Sequence, residues 1–220
     1  MKTSRTLSFA AVIVVAGIAG AALVAALGPS REAGRDAPAV EARSDVASAP
    51  APLPAAAPRP RSGRVLGVTD ALKELDLIKP SRQKLAEDFT LPLVAGKNFR
   101  LGAERGKVVM VNFWATWCPP CREEMPAMER LWRQQKDRGF VIVAVALDAD
   151  PKVVKPFVDR HGLTFPVALD PKMDQGNAYG VRGLPSSFIV DARGYLAALA
   201  LGPRPWDNDA GHSLVEGLLK

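Results

Sequence analysis

One stretch of the sequence, KVVMVNFWATWCPPCREEMPAMERLWRQQKDR (residues 107–138), places two cysteines between an apolar run and an amphipathic segment. The run Lys107–Phe113 is almost continuously apolar, which is typical of a strand buried on both faces of a sheet. Beyond the cysteines, apolar residues recur at the spacing of one helix face; they are Met125, Met128, Leu131 and Trp132. The stretch therefore predicts a buried strand followed directly by a helix, from about Pro119 to Arg138.

Strand and helix patterns alternate along the rest of the chain from about residue 65. The other predicted elements are a helix at 69–79, strands at 89–94, 98–101 and 140–147, a helix at 150–161, a strand at 164–169, a helical turn at 174–179, strands at 187–190 and 195–201, and a helix at 208–219. Alternation of this kind is typical of a sheet with helices packed on its faces. The order predicts one α/β domain.

Cys118 and Cys121 are the two cysteines of the sequence, and they stand at the start of the predicted helix. Free N–H groups and the helix dipole favour a thiolate at that position. The pKa of Cys118 is therefore expected below the ordinary thiol value of about 8.5. Cys121 follows one turn later, close enough to attack a mixed disulfide formed by Cys118. The pair predicts thiol–disulfide exchange, with Cys118 as the nucleophile and Cys121 as the resolving thiol.

Two other interpretations of the cysteine pair have less support. A zinc site needs further ligands, but the sequence has no second cysteine pair, and His161 and His212 lie 40 and 91 residues beyond Cys121. A purely structural disulfide across so short a loop would remove little entropy from the unfolded chain. We assign no role to either histidine, and we expect neither a metal nor a cofactor.

Two separated motifs resemble the TlpA/ResA family of membrane-anchored, thioredoxin-fold thiol–disulfide oxidoreductases. The first motif is Val111–Pro126, in which Cys121, Glu124 and Pro126 match the family's Cys-x-x-Glu-x-Pro pattern. The second motif is Gly183-Leu-Pro-Ser-Ser-Phe-Ile-Val-Asp191. Because both motifs occur, in this order and far apart, the resemblance is much more specific than a Cys-x-x-Cys pair alone.

The resemblance covers roughly residues 85–219 and implies a thioredoxin-like fold, in which helices flank a central mixed sheet. Residues 148–169 are expected to add an extra helix and strand to that fold. Pro185 is expected to be in cis. The backbone of Leu184 is expected to pair with a substrate strand in the groove that Pro185 and Trp117 shape.

The resemblance also implies a function. Such proteins reduce disulfides in exported proteins, with electrons from a membrane donor of the thiol-transporter type, and the family is linked to the maturation of cytochrome c and of the cytochrome oxidase copper centre. Ser186 stands where the cytochrome c branch tends to carry an acid. The segment Gly202-Pro-x-x-Trp206 resembles the TlpA branch, which is linked to copper-centre assembly.

One departure from thioredoxin concerns proton transfer. Thioredoxin carries a buried Asp in the strand before its cysteines, whereas this chain has Asn112 there. An amide cannot shuttle a proton, so another group must take the proton of Cys121. Glu124 is the nearest candidate in the sequence. The alternative role for Glu124 is that of an acid in the first helical turn that complements the helix dipole.

The N-terminus carries most of the excess charge and hydrophobicity. Leu7–Leu27 has 18 apolar residues in 21, and a helix of about 31 Å would span a hydrocarbon core of about 30 Å. A cleaved signal peptide is the alternative. Lys2 and Arg5 favour a cytoplasmic N-terminus, so either interpretation exports the rest of the chain. We expect a single-pass anchor in the cytoplasmic membrane, with the catalytic domain in the periplasm or its equivalent.

The sequence predicts four parts: an anchor or signal segment at 1–28, an Ala/Pro-rich disordered linker at 29–64, a short helical lead-in at 65–84 and a thioredoxin-like domain at 85–220. The net charge is +6, of which residues 65–220 carry only +2, so nucleic acid is not an expected partner. We expect a monomer. Its expected partners are the dithiols and disulfides of exported proteins, the membrane and a membrane electron donor.

Two rival functions would use the same cysteines. A thiol peroxidase needs a Thr-x-x-Cys site, but Thr116 precedes Cys118 by only two residues. A copper-handling chaperone would use the two thiolates as soft ligands, without reductase turnover. No Met or His flanks the cysteine pair at ligand spacing, which disfavours the chaperone.

Overall fold

The structure is a computed structural model that describes residues 62–220 of the chain. The expected membrane anchor and most of the expected linker lie outside the described residues, and both stay predictions. Within residues 62–220, no helix combines the length and the apolar character that a membrane span requires.

Seven strands and five α-helices make up the described part of the chain. In order they are α1 (Val68–Glu74), β1 (Thr90–Pro92), β2 (Asn98–Arg100), β3 (Val108–Trp114), α2 (Pro119–Gln135), β4 (Phe140–Ala146), α3 (Val154–His161), β5 (Val167–Leu169), α4 (Asp174–Ala178), β6 (Ser186–Val190), β7 (Leu196–Leu201) and α5 (Asp209–Leu218).

A five-stranded mixed sheet forms the centre of the fold, with the strand order β5-β4-β3-β6-β7. β4 runs parallel to β3 and to β5, whereas β6 runs antiparallel to β3 and to β7. Every residue of β3 and of β4 is buried, as their apolar runs predict. The expected central mixed sheet is confirmed. β1 and β2, which lie within two predicted strands, form a separate antiparallel hairpin.

Alternate side chains of β3 enter two different apolar cores. Met110 and Trp114 pack in a core to which α1, α2, α3 and α5 contribute. Val111 and Phe113 pack in a second core, which contains the β1–β2 hairpin and Phe188 of β6. Side-chain alternation along a strand explains this division. β3 is therefore packed on both of its faces. This packing fixes the point, after Trp114, at which the chain leaves the sheet.

The expected insertion is present, because residues 148–169 contain both α3 and β5. β5 is shorter than predicted and begins at Val167. Before it, Thr164 donates its backbone N–H (2.9 Å) and its hydroxyl (2.6 Å) to the buried carboxylate of Glu129 in α2. These bonds attach the start of the segment to a helix, which explains why it does not join the sheet earlier.

The helical lead-in is also shorter than predicted. Its apolar spacing predicts a helix to residue 79, but α1 ends at Glu74, and Asp76 adopts a left-handed conformation with φ of 50°. Ile78 then exchanges backbone hydrogen bonds with Leu199 at the outer edge of β7. The segment after α1 therefore pairs with the open edge of β7 and does not continue the helix.

Candidate active site

The two cysteines lie where β3 gives way to α2. Cys118 is the N-cap residue of α2, and Pro119 and Pro120 occupy the first helical positions, where their missing N–H groups cost nothing. Cys118 and Cys121 are joined in a disulfide. The backbone N–H of Cys121 donates to Sγ of Cys118 at 3.3 Å. The structure therefore brings the two predicted thiols together at the N-terminus of a 17-residue helix.

The two sulfurs differ in their access to solvent. Cys118 retains 4% exposure, whereas Cys121 is completely buried. Trp117, directly before the pair, is 67% exposed although it is a large apolar side chain. Trp117 thus presents a large apolar surface to solvent directly beside Cys118.

An apolar groove of about 510 Å³ opens over Cys118. Trp117, Cys118 and the two prolines line one side of it. Leu147, Met173 and the loop 181–184 line the other side. The groove thus contains two of the three expected groove residues, Trp117 and Leu184. The Leu184–Pro185 peptide bond is in cis, which confirms the expectation for Pro185.

Glu124 lies one turn beyond Cys121, and its carboxylate is buried in a network of hydrogen bonds. Its Oε1 accepts from Nδ2 of Asn112 (2.9 Å). Its Oε2 accepts from the backbone N–H of Arg204 (3.1 Å) and from the indole N–H of Trp206 (3.0 Å). The residue is 4% exposed. Glu124 is therefore held in the interior, and it lies beyond the first turn of α2, a turn that contains no acidic residue to complement the helix dipole.

Burial raises the pKa of the Glu124 carboxyl to about 7, because desolvation penalises its charged form. The hydrogen bonds from Trp206, Arg204 and Asn112, and the positive charge of Arg204, offset part of that increase. A carboxyl with a pKa near 7 can both accept and release a proton at neutral pH. A group that takes over proton transfer from the buried Asp of thioredoxin needs this property, because Asn112 cannot carry a proton.

Asn112 completes the network from β3. Its Nδ2 also contacts Oγ of Ser187 (2.9 Å), and its Oδ1 has no hydrogen-bond partner among the described residues. If the amide turned over, Oδ1 would accept a hydrogen bond from a protonated Glu124. Asn112 can therefore match either protonation state of Glu124, although it cannot itself carry the proton.

Nothing in the local sequence indicates the contacts that hold Glu124, and Arg204 is the clearest case. Its guanidinium donates to the carbonyl oxygens of Leu75 (2.6 Å) and Asp76 (2.9 Å) at the end of α1. A lone arginine between two prolines gives no sequence signal for this role. The consequence is that the helical lead-in fixes the loop whose N–H groups bind Glu124.

Trp206 is held in place from the other side by α5. A β-carbon at Gly211 would overlap the carbonyl oxygen of Trp206, so only glycine allows α5 to approach this closely. The segment Gly202–Trp206, which the sequence singled out only as a subfamily resemblance, thus carries two of the partners of Glu124.

The histidines do not join the cysteines. His212 is buried in α5, where its Nδ1 lies 2.8 Å from Nε2 of Gln135. His161 ends α3 and packs against Phe157, with ring centroids 4.2 Å apart and ring planes tilted by 50°. Within residues 62–220, no group of three or more His, Cys, Asp or Glu side chains is arranged to hold a metal ion.

Comparison with known proteins agrees with this geometry. Residues 81–214 match the Redoxin family. The thiol-disulfide oxidoreductase ResA of Bacillus thuringiensis (strain Al Hakam) is 38% identical over 137 residues, which are 62% of this chain and 76% of that protein. ResA of Halalkalibacterium halodurans is 38% identical over 117 residues, which are 53% of this chain and 66% of that protein.

A solved structure supports the fold assignment. It is a thiol:disulfide interchange protein of the thioredoxin family from Chlorobium tepidum TLS, with 34% identity and a TM-score of 0.56. The match covers 64% of this chain and 99% of that one. The thioredoxin-like fold is therefore confirmed for the described domain. By its matched residues and by its fold, the chain belongs to the Redoxin family and, within it, to the ResA-like thiol–disulfide oxidoreductases.

Proposed function

We propose that the protein is a disulfide reductase that acts on exported proteins through Cys118 and Cys121. The observation that carries this proposal is the disulfide at the N-terminus of α2, whose outer sulfur opens onto the apolar groove lined by Trp117 and Leu184. A structural disulfide would not need a groove beside it. In the reduced protein, the backbone N–H of Cys121 and the helix dipole stabilise a thiolate on Cys118.

The first step of the reaction is attack by the Cys118 thiolate on one sulfur of the substrate disulfide. The S–S bond of the substrate breaks, a mixed disulfide forms, and the departing substrate sulfur takes up a proton. Trp117 and Leu184 give the substrate chain an apolar surface to cover, and the cis peptide bond at Pro185 shapes the adjoining loop.

The second step is attack by Cys121 on Sγ of Cys118. Cys121 must first lose its proton, and we propose Glu124 as the acceptor, because residues three apart on a helix are neighbours and the pKa of Glu124 is about 7. The S–S bond of the mixed disulfide breaks, and the second substrate sulfur leaves as a thiolate that takes up a proton. The sum is a reduced substrate and an oxidised protein, with two electrons transferred.

A new cycle requires a reductant, and we propose a membrane protein of the thiol-transporter type as the electron donor. The apolar segment at residues 7–27 supports a site of action at the cytoplasmic membrane, with the catalytic domain in the periplasm or its equivalent. The client classes we propose are cytochrome c and the copper centre of cytochrome oxidase, and the Gly202–Trp206 segment favours the second.

Trapping of the mixed disulfide identifies the client protein directly. In cells that express the full-length Cys121→Ala variant, Cys118 is expected to stay linked to its partner, because no resolving thiol can release it. Non-reducing gels followed by mass spectrometry would show a discrete adduct that disappears on reduction. The matched control is the Cys118→Ala, Cys121→Ala double variant, which should give no adduct.

The same preparations separate the reductase from its rivals. Tight, stoichiometric copper binding by the wild type without disulfide reduction would overturn the proposal in favour of a copper chaperone. Rapid consumption of peroxide would overturn it in favour of a peroxidase. Disulfide reduction together with an adduct supports it.

A further inference from the structure

A second cleft lies beside the active site, between the start of α2 and the inserted helix α3. Its volume is about 430 Å³. We call it the basic cleft, and the lining residues that matter are Thr116, Arg122, Lys152, Phe157, Arg160 and His161. It is distinct from the apolar groove, with which it shares no lining residue.

The charges of the basic cleft are of one sign. Arg122, Lys152 and Arg160 contribute three cationic side chains, and no carboxylate lines the cleft. Burial lowers the pKa of His161, and the positive charges of Arg122 and Arg160 lower it further. The fields of these two guanidinium groups therefore overlap at His161.

Three carboxylates near the cleft are engaged within the chain, and one of them, Asp150, accepts a hydrogen bond from the backbone N–H of Lys152 at 3.0 Å. Asp159 of α3 pairs with Lys155 (2.7 Å). Asp148 accepts hydrogen bonds from the backbone N–H (3.0 Å) and the hydroxyl of Thr116, and it is 4% exposed. Nε of Arg122 is removed from solvent and has no hydrogen-bond partner among the described residues. This buried nitrogen is not open to a docked group, so Arg122 contributes to the cleft through its positive charge.

The basic cleft is tied to the reacting sulfur through the backbone. Arg122 directly follows Cys121, and its N–H donates to the carbonyl oxygen of Cys118 at 3.2 Å. Thr116 precedes Trp117, the exposed side chain of the apolar groove. The segment Thr116–Arg122 thus borders both the cleft and the groove, so a polypeptide that crosses it can contact both.

We propose that the basic cleft docks an acidic segment of the protein whose disulfide is reduced at Cys118. This inference rests on the proposed function and adds the substrate class: a polypeptide with Asp or Glu residues close to its disulfide. Carboxylates are the natural partners of a guanidinium fork and of nearby ammonium groups. The insertion that supplies Lys152, Arg160 and His161 then serves as a specificity element.

The test uses the reduced full-length protein and three disulfide-bridged peptides that differ only in three residues beside the bridge: all Asp, all Asn or all Lys. Stopped-flow measurement of the oxidation of Cys118 and Cys121 gives the rate constant for each peptide. At low ionic strength the Asp peptide is expected to react about tenfold faster than the Asn peptide, and the Lys peptide more slowly. At about 0.5 M salt the three rates should converge.

The Lys152→Gln, Arg160→Gln double variant is expected to reduce the Asp-to-Asn rate ratio to less than about threefold. Its matched control is Lys97→Gln, Lys220→Gln, which removes the same net charge from residues outside the cleft and should keep the ratio. Equal Asp and Asn rates in the wild type, or a control variant that loses the ratio equally, would overturn the docking proposal. No reaction with any of the peptides would instead overturn the proposed function.

Discussion

The Cys118→Ser variant is expected to lose disulfide reduction almost completely, with kcat/KM lowered by more than about 10³-fold. The cause is chemical, because a serine hydroxyl neither ionises near neutral pH nor forms a mixed disulfide. Cys118 is the sulfur that reaches the apolar groove, whereas Cys121 is completely buried. The rate of insulin disulfide reduction by pre-reduced protein measures the loss.

The Cys121→Ser variant is the control for this result, because the two substitutions make the same atomic change three residues apart. This variant should still perform the first step and should accumulate one mixed disulfide per protein molecule. If Cys118→Ser retained turnover, or if Cys121→Ser formed no adduct while Cys118→Ser did, the assignment of nucleophile and resolving thiol would be reversed.

The second large effect concerns Glu124 and pH. Burial raises its pKa in the folded protein to about 7, whereas an unfolded Glu titrates near 4.3. Between these values the folded state binds more protons than the unfolded state, so the contribution of Glu124 to stability is fully present below about pH 4 and is lost as the pH rises through 7. Glu124→Gln removes this dependence, because an amide does not titrate.

The expected result is that the stability of Glu124→Gln relative to the wild type increases by about 3–4 kcal/mol between about pH 4 and about pH 8. Urea unfolding of the oxidised proteins at both pH values measures it. Glu123→Gln is the matched control, because Glu123 is the exposed neighbour on the same helix, and it should show little pH-dependent difference. A constant difference for Glu124→Gln at both pH values would contradict a raised pKa.

Trp206→Phe tests the cause of the effect and keeps most of the aromatic ring. The indole N–H donates to Oε2 of Glu124 and thereby lowers its pKa. Removing that donor should raise the pKa of Glu124. The ¹³C chemical shift of its carboxyl group, followed as a function of pH, measures the midpoint. A midpoint that stayed or moved downward would show that the indole does not act on Glu124.

The sequence was sufficient for the parts of the molecule that follow from local pattern. The apolar run before Cys118 predicted β3, and the spacing of Met125, Met128 and Leu131 predicted the buried face of α2; both are confirmed. The resemblance supplied what pattern cannot, namely the cis bond at Pro185 and the position of the insertion.

Long-range contacts were beyond the sequence because nothing local encodes them. Arg204 reaches Glu124 across 80 residues and reaches Leu75 across 129, so only the assembled fold shows that the lead-in supports the buried acid. The basic cleft likewise depends on contacts that exist only in the assembled fold. Arg122 and Arg160 lie on different helices, and the balanced charge of residues 65–220 conceals their proximity.

The reduction potential of the Cys118–Cys121 pair tests the central claim most directly. Full-length protein is equilibrated with dithiothreitol buffers of known potential, and the fraction of oxidised protein is counted by thiol alkylation. A reductase should lie toward about −270 mV, where its dithiol can reduce the disulfides of exported proteins. A value near about −120 mV would make the protein an oxidant of thiols and would contradict the proposed direction of electron flow.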